Sequence, residues 1–430
     1  MGAPNTLRIG IAGLGNVGAD VFRLLHDHAK LIEERTGKAV TVTAVSARTK
    51  QKKRDIDISK VKWHDNPVDI AHDKNVDVVV ELMGGSEGPA LDLVRRALEN
   101  DKPVVTANKA LLALKCGEVL KLLEKGKGTV SFEAAVAGGI PVIKALREGL
   151  AANDIRAVYG ILNGTCNFIL SEMWRTGRAF ADVLKEAQDK GYAEADPAFD
   201  IDGIDAGHKL SILSGLAFGS VPDFKSVKVR GIRSITPLDI SFAGELGYRI
   251  KLLGIAKRTP RGVEQSVEPC LVPDTTPVAT VEGALNAVYI DGDFSGKILM
   301  TGVGAGGRPT ASAVVSDIID VARGRTLPLL GTTKAGVLKS ASLRDRTGSY
   351  FLRLIVLDQP GVIADVSAIL RDCHVSLESV LQRGHAPGQP VPVILTSHET
   401  PEGAMQKAVD MISKLKSVTA PPHLMRIEAF

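Results

Sequence analysis

Apolar residues occur in short runs along the first third of the chain, and amphipathic segments separate them. The runs, each short enough for a buried strand, lie at 7–12, 40–47, 76–82 and 103–106. The amphipathic segments, with helical spacing, lie at 18–35, 88–99 and 109–125. Strands that alternate with helices at this spacing require right-handed crossovers. The pattern therefore predicts an α/β fold with a parallel, doubly wound sheet over residues 1–155.

The pattern changes after residue 155. Strand-like stretches lie at 155–161, 248–258 and 263–272, and they are mixed with helical ones at 165–175, 179–190, 203–217 and 239–247. This mixture predicts a central α+β domain over 156–325 that binds the substrate. An amphipathic segment at 311–323 follows a Gly-rich turn, and we expect it to return to the first domain.

Gly and Pro residues are frequent at 326–348, which predicts a linker. The last part of the chain, 349–430, has the order strand, helix, strand, strand, helix, strand. This βαββαβ order predicts a small ferredoxin-like domain.

Composition narrows the class of protein. The 430 residues suggest two or three domains, and 44% hydrophobic with 24% charged residues is typical of a soluble globular protein. Aromatic residues at 4% and a net charge of +4 argue against a nucleic-acid partner. No run approaches the ~20 apolar residues of a membrane span, and no targeting segment is recognisable. Four scattered cysteines fit neither a metal site nor a disulfide framework, so we expect a cytoplasmic protein.

A glycine-rich loop joins the first strand to the first helix. It carries the pattern Gly-x-Gly-x-x-Gly, and the candidate cofactor residues are Gly13, Leu14, Gly15, Asn16, Val17 and Gly18. The glycines permit a tight turn and a close approach of backbone to a pyrophosphate, which the helix N-terminus favours. The loop predicts a dinucleotide-binding Rossmann-type domain, with an empty structural turn as the alternative.

The end of the second strand bears on the choice of cofactor. NAD-binding domains usually place an acidic residue there, whereas this strand ends in Ser46, Ala47 and Arg48. An arginine can bind a 2′-phosphate through its planar fork, so Arg48 favours NADP over NAD. A solvated basic loop that leaves NAD possible is the alternative.

Acidic and basic residues are dense around 191–209. Asp205 and Lys209 stand four apart in a predicted helix, so they share a face and can pair. Glu194 and Asp200 precede them in a loop that could meet a cationic amino group. Hydride transfer to a carbonyl requires a proton donor, and a lysine such as Lys209 can serve as one. From these residues alone, a capped helix with ordinary surface salt bridges is an equal alternative.

This block is one of six motifs that follow one another along the chain. They read VELMGG at 80–85, TANKA at 106–110, FEAAVAGGIP at 132–141, GILNGTCNF at 160–168, GYAEADP with DIDGIDAGHKLSIL at 191–213, and GVGAGGRPTASA at 302–313. In this order they strongly resemble homoserine dehydrogenase. The resemblance covers essentially the whole chain, because longer bacterial members also end in an ACT regulatory domain.

The resemblance implies an activity and a set of roles. Members interconvert L-homoserine and L-aspartate 4-semialdehyde with NAD(P), a step toward threonine and methionine. It implies that Lys209 protonates the alkoxide, that Asp205 orients this lysine, and that Lys109 lies between nicotinamide and substrate. Glu194 would bind the substrate's ammonium group, with Asp200 as a further substrate residue. The substrate is a zwitterion, so a carboxylate can bind one end of it while a proton donor lies at the other end.

The resemblance also implies further cofactor and cation contacts. The additional cofactor residues would be Lys109, Gly191, Gly304 and Gly306. A monovalent cation, usually Na+, would be held by the residues Glu133, Val136, Gly138 and Ile140, the last three through their carbonyl oxygens. Oxygen ligands suit a hard cation. Spacing alone would indicate only a Gly-rich loop with a capping glutamate.

The C-terminal domain resembles the ACT family around Asp358, Gly361 and Val362. A helix N-terminus after Gly361 offers N–H groups to a ligand carboxylate. The resemblance implies an amino-acid effector, with L-threonine as the natural expectation, and a homodimer or homotetramer. A domain that only dimerises is the alternative.

Three rival interpretations remain. His208 lies beside Lys209, but neighbouring helical side chains point about 100° apart, so we expect His208 on the flank. Cys166 could serve as the nucleophile of an acylating aldehyde dehydrogenase, which would need a base nearby. A non-catalytic sensor would lack the pair of Asp205 and Lys209.

Overall fold

The computed structural model describes residues 6–383 and 386–430. The strands are β1 Thr6–Ala12, β2 Ala39–Ser46, β3 Lys62–Trp63, β4 Val78–Glu81, β5 Val104–Thr106, β6 Val130–Ser131, β7 Ile155–Ile161, β8 Lys228–Val229, β9 Tyr248–Thr259, β10 Gly262–Pro273, β11 Leu285–Gly292, β12 Gly296–Val303, β13 Thr347–Leu357, β14 Leu377–Gln382, β15 Pro390–Ser397, β16 Thr400–Pro401 and β17 His423–Ile427. The helices are α1 Asn16–Asp27, α2 Ala29–Thr36, α3 Pro89–Glu99, α4 Lys109–Leu123, α5 Val142–Lys144, α6 Gly164–Thr176, α7 Phe180–Asp189, α8 Ala198–Ile201, α9 Ile204–Phe218, α10 Pro237–Glu245, α11 Gly307–Ala322, α12 Val362–Asp372 and α13 Glu402–Ile412.

The chain forms two compact units, each assembled from separate segments. The first contains the residues up to Gly164, together with Asp205–Val227 and Leu285–Leu338. The second contains Thr165–Ile204, Lys228–Ala284 and Lys339–Phe430. Among the described residues, no helix has the length and apolar character that crossing a membrane would require.

A six-stranded parallel sheet in the order β3-β2-β1-β4-β5-β6 dominates the first unit. This is the order of a Rossmann-type fold, and it confirms the parallel α/β sheet predicted for the N-terminal part. Ile9, Ile11, Val78 and Val80 are fully buried because helices cover both faces. The carboxyl ends of β1, β4 and β5 meet at one edge, where ligands bind in such folds.

Helix α11 belongs to this first unit. Its buried Ala311, Val314 and Ile318 share one apolar core with Val21 of α1. The segment that the sequence placed at 311–323 thus returns to the N-terminal fold. The first unit also holds an antiparallel set in which β11 pairs with both β7 and β12.

One predicted helix is divided. The amphipathic pattern at 18–35 predicts a continuous helix, but α1 ends at Asp27 and α2 begins at Ala29. His28 between them has φ −106° and ψ 18°, outside helical values, while its N–H still bonds to the Leu24 carbonyl. The prediction of a single helix was therefore wrong, because the spacing of side chains does not reveal one residue with non-helical backbone dihedrals.

The second unit contains a long hairpin and the C-terminal fold. Strands β9 and β10 pair antiparallel over twelve residues each. Strand β17 pairs with β10 and begins the order β17-β13-β15-β14. With α12 and α13 this is a βαββαβ fold with strands in the order 4-1-3-2, as in ferredoxin-like domains. Leu352, Leu354, Val366 and Met405 are in its own core.

The stretch predicted as a linker, 326–348, is structured in parts. Leu329 and Leu330 are buried in the first unit. Ser340 forms a β-bridge with Val263 in the second unit, and Arg346 is buried there. The Gly and Pro residues that suggested a linker therefore end short packed segments.

Candidate active site

A buried aspartate holds two lysines at the start of helix α9. Lys209 Nζ lies 2.8 Å from Asp205 Oδ2, and Lys109 forms an ion pair with Oδ1 of the same carboxylate. The spacing of four residues in α9 places Asp205 and Lys209 on one face, as predicted. Lys209 also donates to the Leu162 carbonyl at 2.7 Å, and Asn163 Nδ2 donates to Asp205 at 2.9 Å. Both lysines are thus fixed by one carboxylate.

Charge balance keeps this carboxylate ionised. Burial by itself would raise the pKa of Asp205, but the charges of Lys209 and Lys109 and their hydrogen bonds hold it well below its usual range. Asp205 and Lys209 are almost fully buried, whereas the Lys109 side chain is 36% exposed. The pair is therefore not an ordinary surface salt bridge. It supplies fixed ammonium groups in a partly dry site.

Both lysines line a small cleft of about 270 Å³. Its wall also includes Val17, Ala137 and Gly304. A larger cleft of about 630 Å³ is lined by Gly13, Leu14, Gly15 and Arg48, among others. The two clefts share the wall residues Leu82, Met83 and Gly84. The sequence-predicted glycine loop and the lysine–aspartate group thus face neighbouring parts of one open surface of the first unit.

The glycine loop has the geometry that a pyrophosphate needs. Gly13 has φ +104°, and a side chain there would press against the Leu82 carbonyl. A side chain at Gly18 would overlap the Gly13 carbonyl, so helix and loop can pack only with glycine. No atom of the described residues lies within 4 Å of the position where Gly15 would carry a Cβ. Helix α1 begins at Asn16, and no side chain in the described part of the chain caps it, so its first N–H groups are available to an anion.

The basic loop after β2 contains two arginines with different tasks. Arg54 donates to the backbone carbonyls of Leu14, Thr49 and Lys52 at 2.8–3.1 Å, so it orders the loop. Arg48 is exposed and lines the larger cleft beside Ser46, where an acidic residue would stand in a typical NAD site. The site residue that the sequence missed here is Arg54. Its position in a run of basic residues gave no signal of this task.

A second group that the sequence did not identify holds the start of helix α4. Fully buried Glu81 accepts hydrogen bonds from the N–H groups of Met83 and Gly84 and from the Thr106 hydroxyl. Asn108 caps α4 by accepting from Leu111 N–H at 3.0 Å. These residues stand in motifs that the sequence had singled out, but without a role of their own.

The predicted cation residues surround a strained turn in the first unit. Glu133 Oε1 and Oε2 accept from the N–H groups of Ile143 and Lys144 at 3.0 and 2.8 Å. These are the capping contacts that spacing alone would indicate. Burial, followed by the nearby Asp317 charge, raises the pKa of Glu133 to about 7. Val136, Gly138 and Ile140 follow in a turn where Ala137 adopts φ +54°. The cation itself stays a prediction.

The remaining predicted glycines differ in their surroundings. Gly304 lines the smaller cleft, and a side chain there would overlap Asn286. Gly306 has φ +110° and precedes helix α11. Gly191, in the second unit, has φ +73° and ends helix α7, with Tyr192 N–H bonded to the Ala187 carbonyl. The cofactor role of Gly191 stays a prediction beside this local reason for a glycine.

The predicted substrate residues Glu194 and Asp200 lie in the second unit. Glu194 is exposed, and its carbonyl accepts from Gln188 Nε2 at 3.1 Å. Asp200 lies in the short helix α8 and accepts from the Thr165 hydroxyl at 3.4 Å. The same hydroxyl donates to the Tyr192 carbonyl at 2.7 Å. Their part in substrate binding stays a prediction.

The two rival residues are both buried. The His208 ring packs edge-on against Phe224 with centroids 4.4 Å apart, and burial lowers its pKa. This is the flanking position that the helical spacing predicts. Cys166 is fully buried, and its thiol donates to the Asp200 carbonyl at 3.3 Å. A thiol in this position is a poor candidate for a nucleophile.

The predicted effector residues lie at the first turn of the C-terminal fold. Asp358 Oδ2 accepts from Ala386 N–H at 2.8 Å. Gly361 has φ +93° and precedes α12, to which the residues at 6–383 and 386–430 supply no side-chain cap, and Val362 is buried. The geometry agrees with an anion-binding helix N-terminus, while the effector stays a prediction.

Comparison with known proteins agrees with the geometry. The sequence model of homoserine dehydrogenase matches residues 141–319, and that of the homoserine dehydrogenase NAD-binding domain matches 13–133. A homoserine dehydrogenase of Neisseria gonorrhoeae is 46% identical and covers 98% of this chain and 99% of its own. The crystal structure of a homoserine dehydrogenase from Thiobacillus denitrificans superposes with a TM-score of 0.91 at 42% identity, covering 99% of this chain and 98% of that one. A hyperthermophilic archaeal homoserine dehydrogenase in complex with NADPH has a TM-score of 0.63 at 27% identity, covering 73% of this chain and 97% of its own. This chain therefore belongs to the homoserine dehydrogenase family.

Proposed function

We propose that this homoserine dehydrogenase uses Lys209 as the proton donor when L-aspartate 4-semialdehyde is reduced to L-homoserine. The observation that carries the proposal is one buried carboxylate, Asp205, that holds two lysines at a cleft. When bound, the nicotinamide cofactor would supply a hydride for the carbonyl carbon. The protein must then protonate the oxygen that gains negative charge.

The residues divide this work by position. Lys209 is fixed by Asp205 and by the Leu162 carbonyl, so its remaining N–H is the one available to the cleft. Asp205 keeps the ammonium oriented and balances its charge. Lys109, which is more exposed, supplies a second positive charge where the alkoxide develops. In the reverse direction Lys209 accepts the proton of the homoserine hydroxyl.

The test compares neighbouring residues on one helix. Lys209→Met keeps most of the side-chain volume and should lower kcat about 10³-fold, with little change in the Kd for NADPH. His208→Gln is the matched control and should keep kcat within a few-fold of wild type. Equal losses in both variants, or wild-type turnover in Lys209→Met, would contradict the assignment.

We infer that the enzyme prefers NADP to NAD. Arg48 lines the larger cleft, and β2 ends in Ser46 where an acidic residue would repel a 2′-phosphate, while Asp65 in the same cleft accepts a hydrogen bond from the Trp63 indole N–H. The archaeal relative with NADPH supports the same choice. Homoserine oxidation should show a higher kcat/KM with NADP than with NAD. Arg48→Ala should raise the KM for NADP about tenfold and leave that for NAD nearly unchanged, and equal changes for both would argue against it.

We assign the substrate's ammonium group to Glu194, with Asp200 beside the Thr165 hydroxyl as a further substrate residue. Glu194→Gln should raise the KM for homoserine about tenfold while the KM for NADP stays the same. Gly191 keeps its proposed place near the cofactor. A Glu194→Gln enzyme with an unchanged KM for homoserine would remove this assignment.

We infer a monovalent cation, Na+, beside Glu133 and the carbonyls of Val136, Gly138 and Ile140. A buried carboxylate next to a carbonyl-rich turn suits a hard cation. The unfolding midpoint should rise when NaCl replaces choline chloride at equal ionic strength. Glu133→Gln should lose this sodium effect, and an equal effect in both proteins would exclude the site.

We propose that the C-terminal fold is an ACT domain that binds L-threonine at Asp358, Gly361 and Val362. The first turn of α12 offers uncapped N–H groups to a carboxylate. Threonine at millimolar concentration should inhibit the full chain, and Asp358→Asn should weaken that inhibition. Equal inhibition of both proteins would place the effector elsewhere.

We expect a homodimer, or a homotetramer if the C-terminal folds also pair. Strand β12 ends its sheet, and Phe294 at its hairpin and Val303 on the strand are exposed apolar residues. The sedimentation mass should fall to that of one chain in Val303→Arg. A monomeric wild type would contradict the expectation.

We place the enzyme in the cytoplasm. Each of the four cysteines is buried, and among the described residues they form no disulfide. This is the usual condition of a protein from a reducing compartment. Fractionation of the source cells, with activity followed in each fraction, tests the assignment.

A further inference from the structure

Two buried side chains join the ends of neighbouring strands beside the two clefts. Glu81 ends β4 and Thr106 ends β5, and the two residues stand opposite each other in the parallel pairing. The Thr106 hydroxyl donates to Glu81 Oε2 at 2.6 Å. Glu81 Oε1 accepts the N–H groups of Met83 and Gly84 at 2.8 and 3.1 Å. One carboxylate therefore fixes the loop that forms the shared wall of both clefts.

The contacts continue to the first residue of α4. Thr106 Oγ1 accepts the N–H of Asn108 at 3.0 Å. Asn108 Nδ2 donates to the Gly85 carbonyl at 2.6 Å, and its Oδ1 caps α4. Lys109, the next residue, begins that helix and pairs with Asp205. The chain of hydrogen bonds thus joins the cleft wall to the backbone that carries Lys109.

We propose that Glu81 is a positioning residue that couples the loop Leu82–Gly85 to Lys109 through Thr106 and Asn108. One carboxylate oxygen fixes the cofactor side, and the other fixes the lysine side. The inference rests on the proposed role of Lys109 in the reaction. It assigns Glu81 no contact with the substrate.

A carboxylate suits this position because both of its oxygens accept hydrogen bonds. Three donors converge on Glu81, namely two backbone N–H groups and one hydroxyl. An amide would turn its own N–H₂ toward at least one of those donors and leave that donor unsatisfied.

Thr106→Val removes the link through Glu81 with almost no change in volume, while the direct bond from Asn108 to the Gly85 carbonyl remains. It removes the hydroxyl that joins Glu81 to Asn108 and leaves the bonds from Glu81 to Met83 and Gly84 in place. We expect kcat to fall about tenfold, with the KM for NADP within about twofold of wild type. Thr106→Ser should restore kcat, because it returns the hydroxyl.

Two further proteins make the result specific. Thr43→Val is the control, since the half-exposed Thr43 hydroxyl in the same sheet donates to the Asn75 carbonyl and takes no part in the hydrogen bonds that lead to Lys109. It should leave kcat unchanged and lower the unfolding midpoint less than Thr106→Val, because its hydroxyl is not buried. Glu81→Gln should both lower kcat and raise the Kd for NADPH, because it disturbs both sides.

A double-mutant cycle with Lys109→Met decides the matter. If Thr106 acts through Lys109, Thr106→Val causes no further loss of kcat in the Lys109→Met enzyme. The same fold loss in both backgrounds, or no loss in either, overturns the coupling. Lys109→Met by itself tests the proposed role of Lys109, so the two failures are distinguishable.

Discussion

Two buried charge clusters in this protein have central groups of opposite charge. In the first unit one carboxylate, Asp205, lies between two lysines. In the second unit one guanidinium, Arg346, lies between Glu268 and Glu402, at 2.7 Å from each. Arg346 also donates to the Ser266 hydroxyl at 3.0 Å. Both clusters are therefore buried, but Lys228 also pairs with Glu402, so the charges of the second cluster balance while the first keeps one excess positive charge.

The clusters differ in the groups that they present to a cleft. The Arg346, Glu268 and Glu402 side chains are each less than 10% exposed, and Glu402 also pairs with Lys228, which is 31% exposed, at the wall of another cleft. The charge of Arg346 holds the pKa of Glu268 below its ordinary value although burial acts the other way. The Asp205 cluster presents both of its lysines to the cleft that adjoins the glycine loop. A buried charge cluster beside a cleft is therefore not reactive for that reason alone, and what marks the Asp205 cluster is a proton donor next to the glycine loop.

The largest effect is expected from Asp205→Asn. The change leaves two ammonium groups without their common anion, so both orientation and charge balance are lost. We expect kcat to fall about 10³-fold and the protein to lose about 3 kcal/mol of unfolding free energy. Steady-state kinetics and urea unfolding measure the two losses. Asp202→Asn, at an exposed pair with Arg233, is the control and should change neither.

Arg346→Met should separate stability from catalysis. It leaves Glu268 and Glu402 buried with less positive charge, so the free energy of unfolding should fall by roughly 4 kcal/mol. The kinetic constants of the folded enzyme should stay within about twofold of wild type. Arg261→Met, at an exposed pair with Asp345, is the control and should cost little stability. A large loss of kcat in folded Arg346→Met would give this cluster a catalytic role.

Asp239 belongs to a third buried charge cluster, and its contribution to stability should depend on pH. Burial opposes ionisation, but His423 and Arg353 lower the pKa of Asp239 from 3.8 to about 2. A lowered pKa in the folded state means that the stabilisation is complete above pH 4 and is lost as the pH falls toward 2. Asp239→Asn should therefore cost about 2 kcal/mol at pH 7 and progressively less below pH 4. An equal cost at pH 7 and pH 3 would show that charge is not the cause.

The smallest effect is expected from Cys166→Ser. Cys166 is buried, and a serine hydroxyl can make the same hydrogen bond to the Asp200 carbonyl. Turnover should stay within about twofold of wild type, as expected for a residue outside the chemistry. Abolished aldehyde reduction in a folded variant would instead favour a thiol mechanism.

Regular elements were the most predictable part of the fold. Strand β7 and the hairpin β9–β10 were placed within a residue because their apolar runs are long and bounded by turns. Strands β11 and β12 were missed, and for β12 the reason is its half-exposed pattern, which resembles a loop. The break at His28 is a single backbone dihedral, which no hydrophobic pattern records.

The candidate site was predictable where partners are close in sequence. Asp205 and Lys209 are four residues apart, so helix geometry alone brings them together. The third partner, Lys109, came from the family resemblance and not from spacing. Glu81 and Thr106 meet only because β4 and β5 are neighbours in the sheet. Arg346 was placed in a linker because its carboxylate partners lie 78 and 56 residues away.

Chemical rescue of Lys209→Ala is the most direct test of the account. The substitution removes the ammonium group beside Asp205 and leaves space for a small amine at the cleft. If Lys209 transfers the proton, added alkylamines should restore homoserine oxidation in proportion to their concentration, with a rate that depends on the pKa of the amine. Lys109→Ala, assayed with the same amines, shows whether rescue is specific to this position. Wild-type turnover in Lys209→Ala without amine, or a lost activity that no amine restores, would contradict the central claim.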